Sequence, residues 1–194
     1  MKCVIHGSGG VGGYYGGCLA RAGHEVFFIA RGAHLEAIQQ QGLSIKSAKG
    51  DFRIETPKSG ERCDPNFDPN LVIVAVKSWQ LFEITEEIKN YCTPSTLILP
   101  LQNGADASDI LADTLGPERV LGGLTKIFSK IEAPGVINHF TGATYIGFGE
   151  YFQDPQFQNA PDSLSERCRI LEKELDSTPG IDAEAFADLS LIHI

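Results

Sequence analysis

Apolar residues along this chain fall into short near-continuous blocks, separated by stretches where they recur every three or four positions. Residues 2–6, 25–30, 71–76 and 96–101 are blocks of the first kind, the pattern of strands buried on both faces. Between them the spacing predicts helices over 11–22, stopped by Gly23, and 34–41, closed by Gly42. A third runs over 79–91, with Leu81, Ile84 and Ile88 on one face, and a fourth over 107–115, stopped at Gly116-Pro117. Residues 43–47 and 51–55 alternate as short strands able to pair with each other, 63–70 is rich in turn formers, and 120–124 is a further strand. Apolar strands alternating with helices predict an α/β fold: a mostly parallel, doubly wound Rossmann-like sheet covered on both faces.

The pattern changes after about residue 125. Strand-like runs over 135–140 and 144–148, joined by Thr141-Gly142-Ala143, predict a hairpin at the sheet edge. Residues 151–161 form a polar linker. A helix follows over 163–175, with Ser163 and Glu166 as a capping box and Leu164, Cys168, Leu171 and Leu175 on one stripe. Residues 183–194 complete no element, so the terminus reads as a truncation. The expected division is a dinucleotide-binding domain over 1–160, then a linker helix and the start of an incomplete helical second domain over 161–194.

Composition narrows the function classes. With 16 Lys plus Arg against 25 Asp plus Glu, the net charge is −9, and no long basic run offers itself to nucleic acid or an anionic membrane. The apolar runs are too short to span a bilayer, and strand signal begins at Cys3, leaving no room for a signal peptide. Five scattered cysteines without a C-x-x-C pair suit reduced thiols, no metal and a cytoplasmic protein.

The candidate chemistry gathers at strand ends. Seven of the 21 glycines lie between Gly7 and Gly17, and Gly7, Ser8, Gly9, Gly10, Val11 and Gly12 spell G-x-G-x-x-G between the first strand and the first helix. In that context Gly7 permits a tight turn, Gly9 lets backbone approach a pyrophosphate, and Gly12 lets helix and strand pack closely. A turn that binds nothing is the competing account; for Gly13, Gly16 and Gly17, packing and ligand contact stand equal. Where an NAD site carries a carboxylate at the end of the second strand, this chain has Arg31. A guanidinium can make paired hydrogen bonds to a 2′-phosphate, which points to NADP(H) rather than a surface arginine. Lys77 and Asn103 each follow another strand. Lys77 is read as a point charge for cofactor phosphate or an anionic substrate, or as a solvated lysine. Asn103 is read as a hydrogen-bonding group for both nicotinamide and substrate carbonyl, or as an Asn-Gly turn. His34 is placed on the solvent face of its helix, without a role.

These motifs, with Leu19-Ala20-Arg21-Ala22-Gly23-His24-Glu25-Val26, Val74-Ala75-Val76-Lys77-Ser78, Leu101-Gln102-Asn103-Gly104 and Gly122-Gly123 before Pro134-Gly135-Val136, resemble the ketopantoate reductases up to about Gly149. The resemblance implies hydride transfer from NADPH to the small 2-keto acid 2-dehydropantoate, giving pantoate on the route to pantothenate and coenzyme A. It places the pyrophosphate at Gly7 to Gly12, the 2′-phosphate at Arg31, and Lys77 and Asn103 where cofactor and keto acid meet. Backbone near Ser129 would touch the cofactor, and the full-length form could be a homodimer. The family's proton-donating lysine follows a Trp-x-Lys-like segment; residues 182–188 resemble the approach to it, but 189–194 hold neither Trp nor Lys. No catalytic residue is therefore assigned, and the chain alone is expected to bind cofactor and turn over little. A related NADP-dependent reductase of another 2-keto acid, or a non-catalytic dinucleotide-binding fragment, are the alternatives.

Overall fold

The computed structural model describes residues 1–102, 106–151 and 163–187. In chain order the elements are β1 (Lys2–His6), α1 (Gly10–Arg21), β2 (Glu25–Ile29), α2 (Gly32–Gln41), β3 (Leu43–Ser47), β4 (Phe52–Ile54), β5 (Lys58–Gly60) and β6 (Leu71–Val74). A 3-10 turn at Ser78–Gln80 leads into α3 (Leu81–Lys89). Then come β7 (Leu97–Pro100), α4 (Ala107–Leu115), β8 (Leu121–Ala133), β9 (Val136–Glu150), α5 (Glu166–Asp176) and β10 (Asp182–Phe186).

Two sheets result. The first is wholly parallel, ordered β5-β2-β1-β6-β7. Its first strand is central: the chain builds outward through β2 and β5, then returns to the other side of β1 with β6. The reversal leaves a crevice between β1 and β6 at their carboxyl ends, where open parallel sheets bind ligands. Alternation along β1 sorts the core. Val4 faces Leu81, Ile84 and Ile88 of α3 and Leu111 of α4, while Cys3 and Ile5 face Tyr15 and Leu19 of α1.

The second sheet packs on the far side of α1. Its axis is the fifteen-residue β9, paired antiparallel with β8 along one edge and parallel with β3 and β10 along the other. A helix between two sheets must bring both close, and the glycines of α1 do this. A Cβ on Gly16 would stand 2.6 Å from Ile5 and Phe28 of the first sheet, and one on Gly13 would stand 2.8 Å from Ile137 of the second. Packing is thus the role of these bare positions.

Several expectations change. The 135–148 hairpin is one continuous strand: Thr141-Gly142-Ala143 is a bulge, and the true hairpin joins β8 to β9 at Pro134-Gly135. Between Lys126–Tyr145 and Phe128–Thr141 the two strands fall out of register, and Gly142 takes up the surplus at φ +90°. Strand 120–124 is the start of the much longer β8, and β5 arises from a segment with no strand pattern. The capping box is misplaced: Ser165 caps α5, its hydroxyl accepting from the Cys168 N–H. Asp182–Phe186, read as completing nothing, is β10, aligned with residues 145–149 of β9. Among the described residues no helix is long and apolar enough to cross a membrane.

Candidate functional site

The crevice at the β1/β6 reversal has a volume of about 280 Å³ and is lined by the Gly7–Gly9 loop, Arg31, His34, Lys77 and Ile131. Of the expected residues, Gly7, Ser8, Gly9, Arg31 and Lys77 line this one cavity, whereas Gly10, Val11 and Gly12 do not. β1 ends at His6, and Gly7 turns the chain at φ +100°, with Val76 and the Ala75 carbonyl carbon less than 3 Å from where a Cβ would be. A side chain there would be strained by both its backbone and its neighbours. Gly9 caps α1 in extended conformation, and a Cβ on it would meet nothing within 4 Å. Nothing among the described residues requires Gly9 to be bare, so the open space beside it is room for a ligand. The opposite holds at Gly12, whose Cβ would stand 2.8 Å from Ile5, and at Gly10, where it would stand 2.6 Å from the Ser129 carbonyl. The β8 backbone thus leans directly on the glycine loop.

The loop presents the first turn of α1 to the crevice. Helix amides without partners and the positive end of the helix dipole favour an anion there. The Ser8 hydroxyl adds a donor: Ser8 is 2% exposed, lines the cavity, and its Oγ has no hydrogen-bond partner among the described residues. Its N–H is held by the Ile29 carbonyl at 2.9 Å, tying the loop to β2. The Ser129 hydroxyl is also buried without a partner.

Arg31 leaves β2 as the N-cap of α2, and its exposed side chain lies 3.6 Å from Glu83 on α3. No carboxylate follows β2. Lys77 follows β6 exposed on the opposite wall, its backbone N–H donating to Gln80 Oε1 at 3.1 Å. Asn103 lies outside the described residues. Gln102 before it carries an amide whose nitrogen and oxygen are both buried without partners among the described residues, a polar group at the end of β7.

Two histidines escaped the sequence reading. His6 ends β1 at 2% exposure, its Nδ1 lying 2.8 Å from the Tyr91 hydroxyl. Burial, aided by the Arg31 charge, pushes its imidazole down to about 4. A histidine closing an apolar strand gives no periodic signal. His34 is not on the solvent face of α2: it is half-buried and lines the crevice. Its Nε2 lies 2.8 Å from the Ser8 carbonyl, and its Nδ1 accepts from the Gly135 N–H at 3.0 Å. Burial holds its imidazole below the usual histidine value. The second sheet, invisible to a reading that expected only one, makes this position interior.

Comparison with known proteins agrees with this geometry. The family described as "Ketopantoate reductase PanE/ApbA" matches residues 3–151. An uncharacterized oxidoreductase of Bacillus subtilis, YkpB, is 34% identical over 186 residues, covering 95% of this chain and 56% of that protein. A 2-dehydropantoate 2-reductase of Pyrococcus abyssi is 33% identical over 148 residues, covering 76% of this chain and 47% of that protein. The crystal structure of 2-dehydropantoate 2-reductase from Geobacter metallireducens superposes with a TM-score of 0.85 at 31% identity, covering 98% of this chain and 60% of that one. The chain spans about half the length of the curated relatives it matches. A Rossmann-like parallel sheet with its glycine loop at the switch point, and a family match over most of the described residues, lead to one assignment: this chain belongs to the ketopantoate reductase family of oxidoreductases.

Proposed function

We propose that this chain is the cofactor-binding half of an NADPH-dependent 2-dehydropantoate 2-reductase, which reduces 2-dehydropantoate to pantoate on the route to pantothenate and coenzyme A. One observation carries the cofactor reading: Arg31 stands at the end of β2, in the same crevice as the open face of Gly9. A carboxylate in that place would repel a 2′-phosphate, whereas a guanidinium makes charge-assisted bonds to it. Residues Gly7, Ser8, Gly9, Gly10, Val11 and Gly12 hold the pyrophosphate through main-chain N–H groups and the buried Ser8 hydroxyl. Lys77, on the other wall, supplies a point charge for a cofactor phosphate or the substrate carboxylate. Asn103, which follows β7 in the sequence, orients nicotinamide and keto group in this reading. The bound cofactor supplies the hydride for the keto carbon.

The developing alkoxide needs a proton donor. Lys77 serves binding rather than proton transfer in this reading, and the family's donor lysine has no counterpart in this sequence. The chain by itself therefore binds the dinucleotide and turns over little. The cytoplasm is the compartment that fits these substrates. Fluorescence titration tests the cofactor reading: NADPH binds, and more tightly than NADH. Absence of binding, or a preference for NADH, overturns it. Steady NADPH oxidation by the 194-residue chain with 2-dehydropantoate would overturn the assignment of the missing donor.

A further inference from the structure

We infer that His34 is a positioning residue of the phosphate-binding loop: its uncharged imidazole clips the Ser8 carbonyl to the turn between β8 and β9, and dinucleotide affinity depends on that clip. The inference rests on the dinucleotide reading above and adds to it a dependence on acid.

Partner chemistry fixes the ring's state. A backbone N–H can only donate, so Nδ1, at 3.0 Å from the Gly135 nitrogen, must be the acceptor. The proton of the neutral ring then sits on Nε2, which donates to the Ser8 carbonyl at 2.8 Å. Each partner is itself anchored. The Gly135 carbonyl accepts from the Ser44 N–H at 2.9 Å, and the Ser8 N–H is held by Ile29 at 2.9 Å. His34 thus joins the glycine loop, α2 and the second sheet through one side chain. The Ser8 carbonyl and the Gly9 N–H belong to one planar trans peptide, so holding the carbonyl oxygen sets the direction of the Gly9 N–H. That N–H is among the donors a phosphate meets at this helix start. The clip therefore orients a phosphate donor through the loop backbone.

A second proton would land on Nδ1 and face the Gly135 N–H, donor against donor, which opens the clip. Burial already favours the uncharged ring. The other ionisable groups around it are Arg31 and Glu36 on α2, His6 and Lys77 along the crevice, and Lys130 and Glu132 near the end of β8. Of these the arginine and the lysines keep their charge in acid, while His6 and the carboxylates Glu36 and Glu132 are the groups acid can protonate. His6 stays neutral down to about pH 4, and Glu132, held by Lys46 and Asn138, is kept below the usual carboxylate range. Burial holds His34 itself below the usual histidine value, so its ring takes the second proton, and the clip opens, on the acid side of that value.

The test is calorimetric titration of NADP⁺, which survives acid, against the wild-type chain, His34→Gln and His34→Ala from pH 8 to pH 5. The Gln amide nitrogen reproduces the Nε2 donor to Ser8 and cannot be protonated. His34→Gln is expected to bind within a few-fold of wild type at pH 8, and His34→Ala about tenfold more weakly, the worth of one or two backbone hydrogen bonds. Below pH 6.5 wild-type affinity falls further than that of His34→Gln, whose profile carries only the ligand's own phosphate titration. Imidazole ¹⁵N shifts supply a readout that mere packing would not move: a neutral Nε2–H tautomer whose titration runs in step with the Gly135 amide. Superposed pH profiles for wild type and His34→Gln, or the opposite tautomer, overturn the inference while leaving the dinucleotide reading intact. Failure of wild type to bind NADP⁺ at every pH overturns that reading and the inference with it.

Discussion

Arg31 Nη1 lies 3.6 Å from Glu83 Oε1, joining the end of β2 to the first turn of α3, elements on opposite sides of the switch point. Both side chains are more than half exposed, so the pair adds little to stability. On the proposed NADPH reading its weight falls on binding, because a 2′-phosphate at Arg31 would compete with the carboxylate. Glu83→Gln is therefore expected to tighten NADPH about two- to threefold at low salt, an effect that fades as added salt screens the exposed charges. Arg31→Ala should weaken NADPH about 10- to 100-fold, the loss of charge-assisted hydrogen bonds, and leave NADH almost unchanged. Parallel titrations of both nucleotides check the pair; an equal loss for both would place Arg31 away from the 2′-phosphate.

Glycines nine and sixteen separate binding from packing. A Cβ on Gly9 meets nothing, and its φ of −75° suits any residue, so Gly9→Ala should melt with the wild type. It should nonetheless lose most dinucleotide affinity, because the methyl fills the space a pyrophosphate needs. Gly16→Ala drives its methyl to 2.6 Å from Ile5 and Phe28. Overpacking of that kind costs about 1–3 kcal/mol, or roughly 2–10 °C in melting temperature for a chain of this size. Thermal melts beside binding curves distinguish the two, and a destabilised Gly9→Ala would show the space is not open.

Apart from its edge strand β5, the parallel sheet was legible because its strands carry the plainest signals a sequence offers. β1 was read at its true bounds, and β2, β6 and β7 within two residues, since a strand buried on both faces is apolar throughout. The glycine loop, Arg31 and Lys77 followed from the rule that parallel strands present their ligands at their carboxyl ends. The second sheet was not legible. β9 is exposed at 140–143 and buried at 146–150, so no single alternation runs along it, and Gly142 imitates a turn. With that sheet hidden, nothing announced that His34 has a roof over it or that Asp182–Phe186 has a strand to join. Pairing between distant segments decides these features, and local pattern does not carry it.

His6 and Tyr91 make acid stability a test of the crevice floor. Burial raises the Tyr91 hydroxyl well above its usual range, so it stays protonated, and it shares a hydrogen bond of 2.8 Å with His6 Nδ1. Folded His6 takes a proton only near pH 4, whereas the unfolded chain takes one near 6.5. The unfolded state binds more protons between these values, so stability present above pH 6.5 is lost as pH falls toward 4. The loss is about 3 kcal/mol from this group alone. In the double variant His6→Leu with Tyr91→Phe, neither partner is left unpaired. Urea unfolding at pH 7 and pH 5 should show a smaller acid loss in this variant than in wild type; equal losses would mean that His6 titrates normally.

Glu150 ends β9 at 3% exposure and is the polar anchor of α5. Its carboxylate accepts from Arg167 Nε at 2.9 and 3.1 Å, from Arg167 Nη2, and from the Ser165 hydroxyl that caps the helix. Burial alone would push this carboxyl up, but the bonds from Arg167 and Ser165 outweigh it and hold the group below the usual carboxylate value. A depressed carboxyl stabilises the fold above its unfolded value and loses that contribution as pH drops through the folded one, so the anchor holds at neutral pH and fails in acid. Removing the cation should be worse than removing both charges, because a buried carboxylate without its guanidinium is the costly state. Arg167→Ala is expected to lose about 3 kcal/mol, the low end for such a pair because the arginine is partly exposed. Glu150→Gln with Arg167→Met should recover much of that. Because α5 is clamped to the end of β9 and supplies none of the crevice's described lining, dinucleotide affinity should survive both changes wherever the chain remains folded. Hydrogen exchange would show the α5 amides opening first in Arg167→Ala, and uniform loss of protection across both sheets would refute this local role.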